Sequence, residues 1–200
     1  MIRIRSLNKN FGSKRILNNL NLICETGKIQ ALLGANGAGK TTMIYILSGL
    51  LKSDSGEIFI DEELVDVNQY KYKSKIGYVF EVPLYFEKLT AKEFLMFSAK
   101  MRDIKEEEYL PRIKHYMDLL EVPDDKKFIE KYSKGMKQKI NIITALLHEP
   151  KYLILDEPFA NLDFLSIQRL TELFKNLANT GVTILVTSHQ FDVIMVDRLD

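Results

Sequence analysis

Leu32-Leu33-Gly34-Ala35-Asn36-Gly37-Ala38-Gly39-Lys40-Thr41-Thr42 decides how this chain is read. It matches the phosphate-binding pattern G-x-x-x-x-G-K-[ST] without a gap. Three glycines let the backbone turn tightly enough for successive N–H groups to surround an anion, and a helix N-terminus behind them adds partial positive charge. In such a loop Lys40 reaches the β- and γ-phosphates, Thr41 presents its hydroxyl to Mg²⁺, and Thr42 donates to another phosphate. The expected phosphate-binding set is therefore Gly34, Asn36, Gly37, Gly39, Lys40, Thr41 and Thr42. Glycine makes up about 7% of average sequences, so a chance match in a chain this long is on the order of 1%. A merely flexible turn is the weaker reading. The flanks agree: residues 28–33 read as a short buried strand, and Met43, Ile44, Leu47 and Leu50 recur at helical spacing.

Composition bounds the rest. Two hundred residues with 46% hydrophobic content fit one domain with a sizeable core. The longest apolar runs are strand-sized, and Met1-Ile2-Arg3-Ile4-Arg5 alternates like a strand rather than showing a signal peptide's apolar block. A single cysteine, Cys24, excludes an internal disulfide or a zinc cluster and agrees with a reducing compartment. A net charge of +1 provides no global field for nucleic acid. Six lysines between Lys126 and Lys139 face one acid, Glu130. They read either as a solvated helix face or as a surface for nucleotide phosphate or anionic headgroups.

Along the chain, Ile2, Ile4, Leu20 and Leu22 alternate, and Phe11 is expected in the loop between the early strands. Residues 53–56 read as a turn, 57–60 and 76–80 as strands. From about Leu89 to His148 helical periodicity takes over. Thr90 and Glu93 form a T-x-x-E capping box ahead of a stripe of Phe94, Phe97, Met101 and Ile104, read as core. Two further helices carry Tyr109, Ile113, Tyr116 and Leu120, then Met136, Ile140, Ile143 and Leu147. Strands return with Tyr152-Leu153-Ile154-Leu155, apolar throughout as a strand covered on both faces should be, and with residues 182–186. A helix with Ile167, Leu170, Phe174 and Leu177 inward separates them.

The first of those strands ends in Asp156-Glu157. Opposite a phosphate loop, an acid pair at a strand end supplies a Mg²⁺ ligand, Asp156, and a base, Glu157, that polarises water for in-line attack on a γ-phosphate. Together the two motifs argue for NTP hydrolysis.

With these residues in order, the chain resembles the ATP-binding cassette (ABC) ATPases over essentially its whole length. Tyr132-Ser133-Lys134-Gly135-Met136-Lys137-Gln138 is similar to the family signature, Ala160-Asn161-Leu162-Asp163 to the D-loop, Thr187-Ser188-His189 to the switch histidine, Phe11 to the aromatic that stacks on adenine, and Phe80-Glu81 to the Q-loop. Three departures stand out: Glu81 for the usual Gln, Lys134 for the first signature Gly, and Phe11 for the commoner Tyr. The resemblance implies an α/β fold: a phosphate-loop NTPase core with a mainly parallel sheet, an antiparallel β subdomain and a helical insert. One ABC-type domain over residues 1–200 is expected, with a helical subdomain near 84–148 and a C-terminus cut short of the family norm.

The implied activity is ATP hydrolysis with Mg²⁺, in a head-to-tail dimer where each Ser133 and Gly135 serves the second subunit's nucleotide. Glu157, His189 and Lys40 are the expected catalytic residues, Thr41, Asp156 and Glu81 the expected metal ligands. The leading expectation is the ATP-binding subunit of a transporter whose integral membrane permease is a separate chain, with the region from Glu81 through the insert receiving it. Such a subunit is cytoplasmic, peripheral on the inner face of the membrane, with no nucleic acid expected. The alternative class is a soluble, non-transport cassette acting on ribosomes or nucleic acid, which ordinarily carries two cassettes or a long coiled coil. A degenerate cassette is disfavoured because Lys40, Asp156, Glu157 and His189 are all present.

Overall fold

The computed structural model describes residues 1–35, 37–66, 71–82 and 85–189; Asn36 lies outside them. Strand β1 (Ile2–Phe11) turns Ile2, Ile4 and Leu7 to one side, and a register shift between Ile4 and Leu7 keeps all three buried. Antiparallel β2 (Lys14–Cys24) returns along it, from the pair Phe11↔Lys14 to the pair Ile2↔Cys24. Phe11 is thus the last residue of a strand rather than a loop residue. Next come β3 (Ile29–Leu33), the phosphate loop and α1 (Lys40–Leu47). Strands β4 (Ser55–Ile60) and β5 (Glu63–Leu64) complete an antiparallel sheet in the order β2-β1-β4-β5. The expected turn at 53–56 is shorter, since Ser55 already pairs with Asn8.

After β6 (Ile76–Val79), three helices follow: α2 (Ala91–Lys100), α3 (Glu106–Leu119) and α4 (Lys134–Leu146). The capping box forms in full: Thr90 accepts from the Glu93 N–H, and the Glu93 carboxylate accepts from the Thr90 N–H. The chain then enters β7 (Tyr152–Asp156), α5 (Phe164–Asn179) and β8 (Thr183–Ser188). A second sheet, parallel throughout, has the order β3-β8-β7-β6.

Period-two alternation along β7 divides the interior. Leu153 and Leu155 face a core built with α5 and the three inserted helices, whereas Tyr152 and Ile154 face a core built with α1 and the antiparallel sheet. Both faces being covered, the strand is apolar throughout, and each such side chain contributes about 1.5–3 kcal/mol by leaving water. Helix α1, wedged between the two sheets, buries Met43, Ile44, Ile46 and Leu47 and so is apolar nearly all round.

Two expectations change. Strand β3 is half-buried rather than buried, because among the described residues it pairs on one side only, with β8. The stripe on α2 is not all core: Phe94 and Leu95 are buried, but Phe97 is 41% and Met101 67% exposed. The helix ends at Lys100, so Met101 leaves the face, and Phe97 instead packs edge-on to Phe86 at 5.0 Å.

Candidate nucleotide site

Where β3 ends, the chain turns through the glycine loop into α1. Gly39 holds φ at +92°, and a Cβ there would lie 2.8 Å from Leu17 Cδ2 and 3.0 Å from the Ile16 carbonyl oxygen, so only glycine fits. No acid occupies the first turn of α1, which leaves the positive end of the helix facing the loop. Lys40 is only 9% exposed. Its ammonium donates to the carbonyls of Gly34 and, at 3.2 Å, Ala35.

The parallel register of β7 and β8 opposes Asp156 to Thr187 and brings the two strand ends together beside that loop. Asp156 is 1% exposed; its Oδ1 accepts from the Thr187 hydroxyl at 2.5 Å, while its Oδ2 is buried without a hydrogen-bond partner. Glu157 takes a left-handed backbone, φ +49°, unusual for a side chain with a Cβ. That turn is fastened by Glu157 N–H donating to the Thr187 carbonyl at 3.1 Å, and it swings the carboxylate to His189, whose Nδ1 lies 2.9 Å from Oε1. The Ser188 hydroxyl donates to the other oxygen at 3.3 Å.

The loop, Glu157 and His189 open on one cavity of about 400 Å³, within the range of small-molecule sites. Phe11 forms one end; Gly37, Gly39, Lys40, Thr41 and Thr42 line the phosphate loop side; Glu81, Glu157 and His189 complete it. Gly34 lies beneath the Lys40 stem, and Asp156 is buried beside Glu157 without reaching the cavity surface. Lys14 and Ile16 line it too, though no motif announces them. Only the pairing of β2 with β1 carries them there.

Ser133 and Gly135 do not line this cavity. Ser133 caps α4, accepting from the Met136 N–H at 3.2 Å. Gly135 is pressed against the D-loop: a Cβ would come within 2.6 Å of the Asn161 carbonyl oxygen. Gln138, buried, donates to the Pro158 carbonyl at 3.2 Å, so the start of α4 is bound to the turn that follows β7. Asp163 caps α5 in turn, and hydrogen bonds from the N–H and hydroxyl of Ser166 hold its carboxyl below the ordinary range. The six lysines do not form one solvated face. Lys139 is buried, Lys137 reaches the Glu130 carbonyl, and Lys127 lies over the Tyr132 ring. Among the described residues, no helix is long and apolar enough to cross a membrane.

A glycine loop leading into α1, an acid pair at the adjoining strand end and a helical insert docked on the turn beyond it define a nucleotide-binding cassette. The chain belongs to the ABC transporter family, whose model matches residues 17–160. It is 38% identical over 190 residues to the bacitracin transport ATP-binding protein BcrA of Bacillus licheniformis, covering 94% of this chain and 61% of that relative. A solved ATP binding subunit of an ABC transporter superposes with a TM-score of 0.88 at 31% identity, over 96% of this chain and 81% of that one. The dimeric, post-hydrolysis ATP-binding cassette MJ0796, bound to ADP and Pi, gives 0.86 at 26% identity, over 96% and 90%.

Proposed function

We propose that this chain binds and hydrolyses ATP to drive a transporter whose membrane-spanning permease is a separate polypeptide. The observation that carries this reading is one cavity holding both the phosphate loop and the Glu157–His189 pair. Phe11 stacks the base, the loop N–H groups and Lys40 hold the β- and γ-phosphates, and Glu157 takes a proton from the water that attacks phosphorus. His189 keeps the Glu157 carboxylate aimed and donates to the γ-phosphate. Mg²⁺ fits the donor set, because Asp156 Oδ2 is a buried oxygen with no other partner. Thr41, Asp156 and Glu81 would hold the ion, and when bound it supplies positive charge that neutralises the phosphate oxygens.

Two copies act head to tail. Ser133 and Gly135 lie outside their own cavity, at the N-terminus of a 13-residue helix, and serve the nucleotide of the second copy. The cassette is one domain with residues 84–148 as its helical subdomain. Exposed Val82, together with exposed Phe86 and Phe97 in edge-on contact with each other, offers apolar surface to the permease. A chain so engaged works at the cytoplasmic face of the membrane, and the bacitracin transport named for BcrA makes bacitracin the first cargo to assay.

Lys40→Ala tests the reading. ATP turnover should fall by about 100- to 1,000-fold, while circular dichroism shows a folded domain, since the lost ammonium bonds only loop carbonyls. Unchanged turnover would remove the assignment.

A further inference from the structure

The tip of the first hairpin brings a second cation toward the nucleotide. Phe11 and Lys14 oppose each other across the Gly12-Ser13 turn. Opposed residues of an antiparallel pair carry their side chains on one face, and both line the cavity. Ile16, two residues along β2, shares that face, and its carbonyl lies against the position a Gly39 Cβ would take. Following β2 from the tip therefore leads from Lys14, beside the aromatic ring, to the phosphate loop.

Three nearby charges are already committed, while Glu81, which also lines the cavity, is the one assigned above to the metal. Lys9 pairs with Asp54 at 2.9 Å, Lys40 bonds the loop carbonyls, and Glu157 is held by His189 and Ser188. Among the described residues, the Lys14 ammonium has no hydrogen-bond or ion-pair partner. An ammonium only donates, so the partner it suits is an anion. With the base on Phe11 and the β- and γ-phosphates at Lys40, the anionic group between them is the α-phosphate.

We propose that Lys14 is a nucleotide ligand whose ammonium pairs with the α-phosphate of the nucleotide stacked on Phe11. This rests on the cavity being the nucleotide site. It makes Lys14 a determinant of affinity shared by the tri-, di- and monophosphate, and indifferent to the γ-phosphate.

Equilibrium titration of the full chain with ATP, ADP, AMP and adenosine, without Mg²⁺ and at two salt concentrations, tests it on the wild type, Lys14→Met and Lys14→Arg. Methionine keeps the apolar stem and removes the charge. Lys14→Met should weaken ATP, ADP and AMP by a common factor of about three to ten and leave adenosine unchanged, with the difference shrinking at high salt. Lys14→Arg should restore wild-type affinity. Unchanged affinity for all three phosphates overturns the proposal, as does an equal loss for adenosine, which would make Lys14 a base or ribose contact. A wild-type chain that binds none of the four would instead sink the nucleotide reading itself.

Discussion

The two ends of five-residue β7 meet acids of opposite character, half-buried Asp61 at one and buried Asp156 at the other. At the start, Asp61 is saturated: Oδ1 accepts from the Tyr152 hydroxyl and from Lys151, both at 2.5 Å, and Oδ2 from Lys75 at 2.9 Å. Burial pushes its pKa up, but these hydrogen bonds outweigh burial and hold the carboxyl well below the usual range. At the far end, Asp156 has one oxygen satisfied by Thr187 and the other left buried and bare. A satisfied network fixes structure, whereas an unsatisfied buried oxygen costs stability and marks a group held ready for a ligand. The Asp61 end ties the antiparallel sheet to the parallel one; the Asp156 end serves chemistry.

Breaking the saturated end should change stability and spare function. Asp61→Asn should cost about 2 kcal/mol in chemical denaturation while leaving ATP affinity as in the wild type. The sign with pH follows from the depressed pKa. The contribution is present above the ordinary carboxylate value of 3.8 and is lost as pH falls through the lower folded value. Wild-type stability should therefore drop below about pH 4, and Asp61→Asn should lack that part of the drop. A variant with the same acid limb as the wild type would mean that Asp61 is no clamp.

His148 sharpens the comparison, because it lies at the Asp61 end without being saturated. Nε2 meets the Ile76 carbonyl at 3.1 Å, and Ile76 pairs with Tyr152, but Nδ1 is buried with no hydrogen-bond partner. Burial, followed by the nearby Arg102 charge, lowers its pKa to about 4. The unfolded chain then binds the extra proton between the ordinary 6.5 and 4, so stability declines as pH falls across that window. His148→Gln, followed by thermal unfolding from pH 7 to pH 4, should flatten that decline. An unaltered profile would assign it elsewhere.

At the catalytic end the smallest effect is expected from Glu81→Gln. An ionised Glu offers only acceptors and brings negative charge toward the phosphates, so Mg²⁺ should matter more to it than to Gln. Glu81 lines the cavity. ATP affinity should depend more steeply on Mg²⁺ in the wild type than in the variant, with hydrolysis surviving in both. Identical Mg²⁺ dependence would remove Glu81 from the metal and leave it as a docking residue for the permease.

The difference between the two ends also explains what the sequence made legible. The phosphate loop and the Asp156-Glu157 strand end are contiguous stretches whose chemistry is written locally, and β7 had to be apolar because both its faces are covered. Asp61 could not be read that way, since its partner Tyr152 is 91 residues distant and no spacing rule joins them. Lys14 and Ile16 reach the cavity through hairpin register, which a single sequence leaves open. Periodicity puts Phe97 and Met101 in the core, yet the helix stops at Lys100 and one face of the insert is left exposed.

Glu157→Gln in the full chain tests the central claim most directly, by following ATP turnover and size-exclusion elution in Mg²⁺ and ATP together. Loss of the base should lower turnover by at least about 100-fold while ATP stays bound and the chain elutes as a dimer. Turnover equal to the wild type, with a monomeric profile at high protein concentration, would contradict the account.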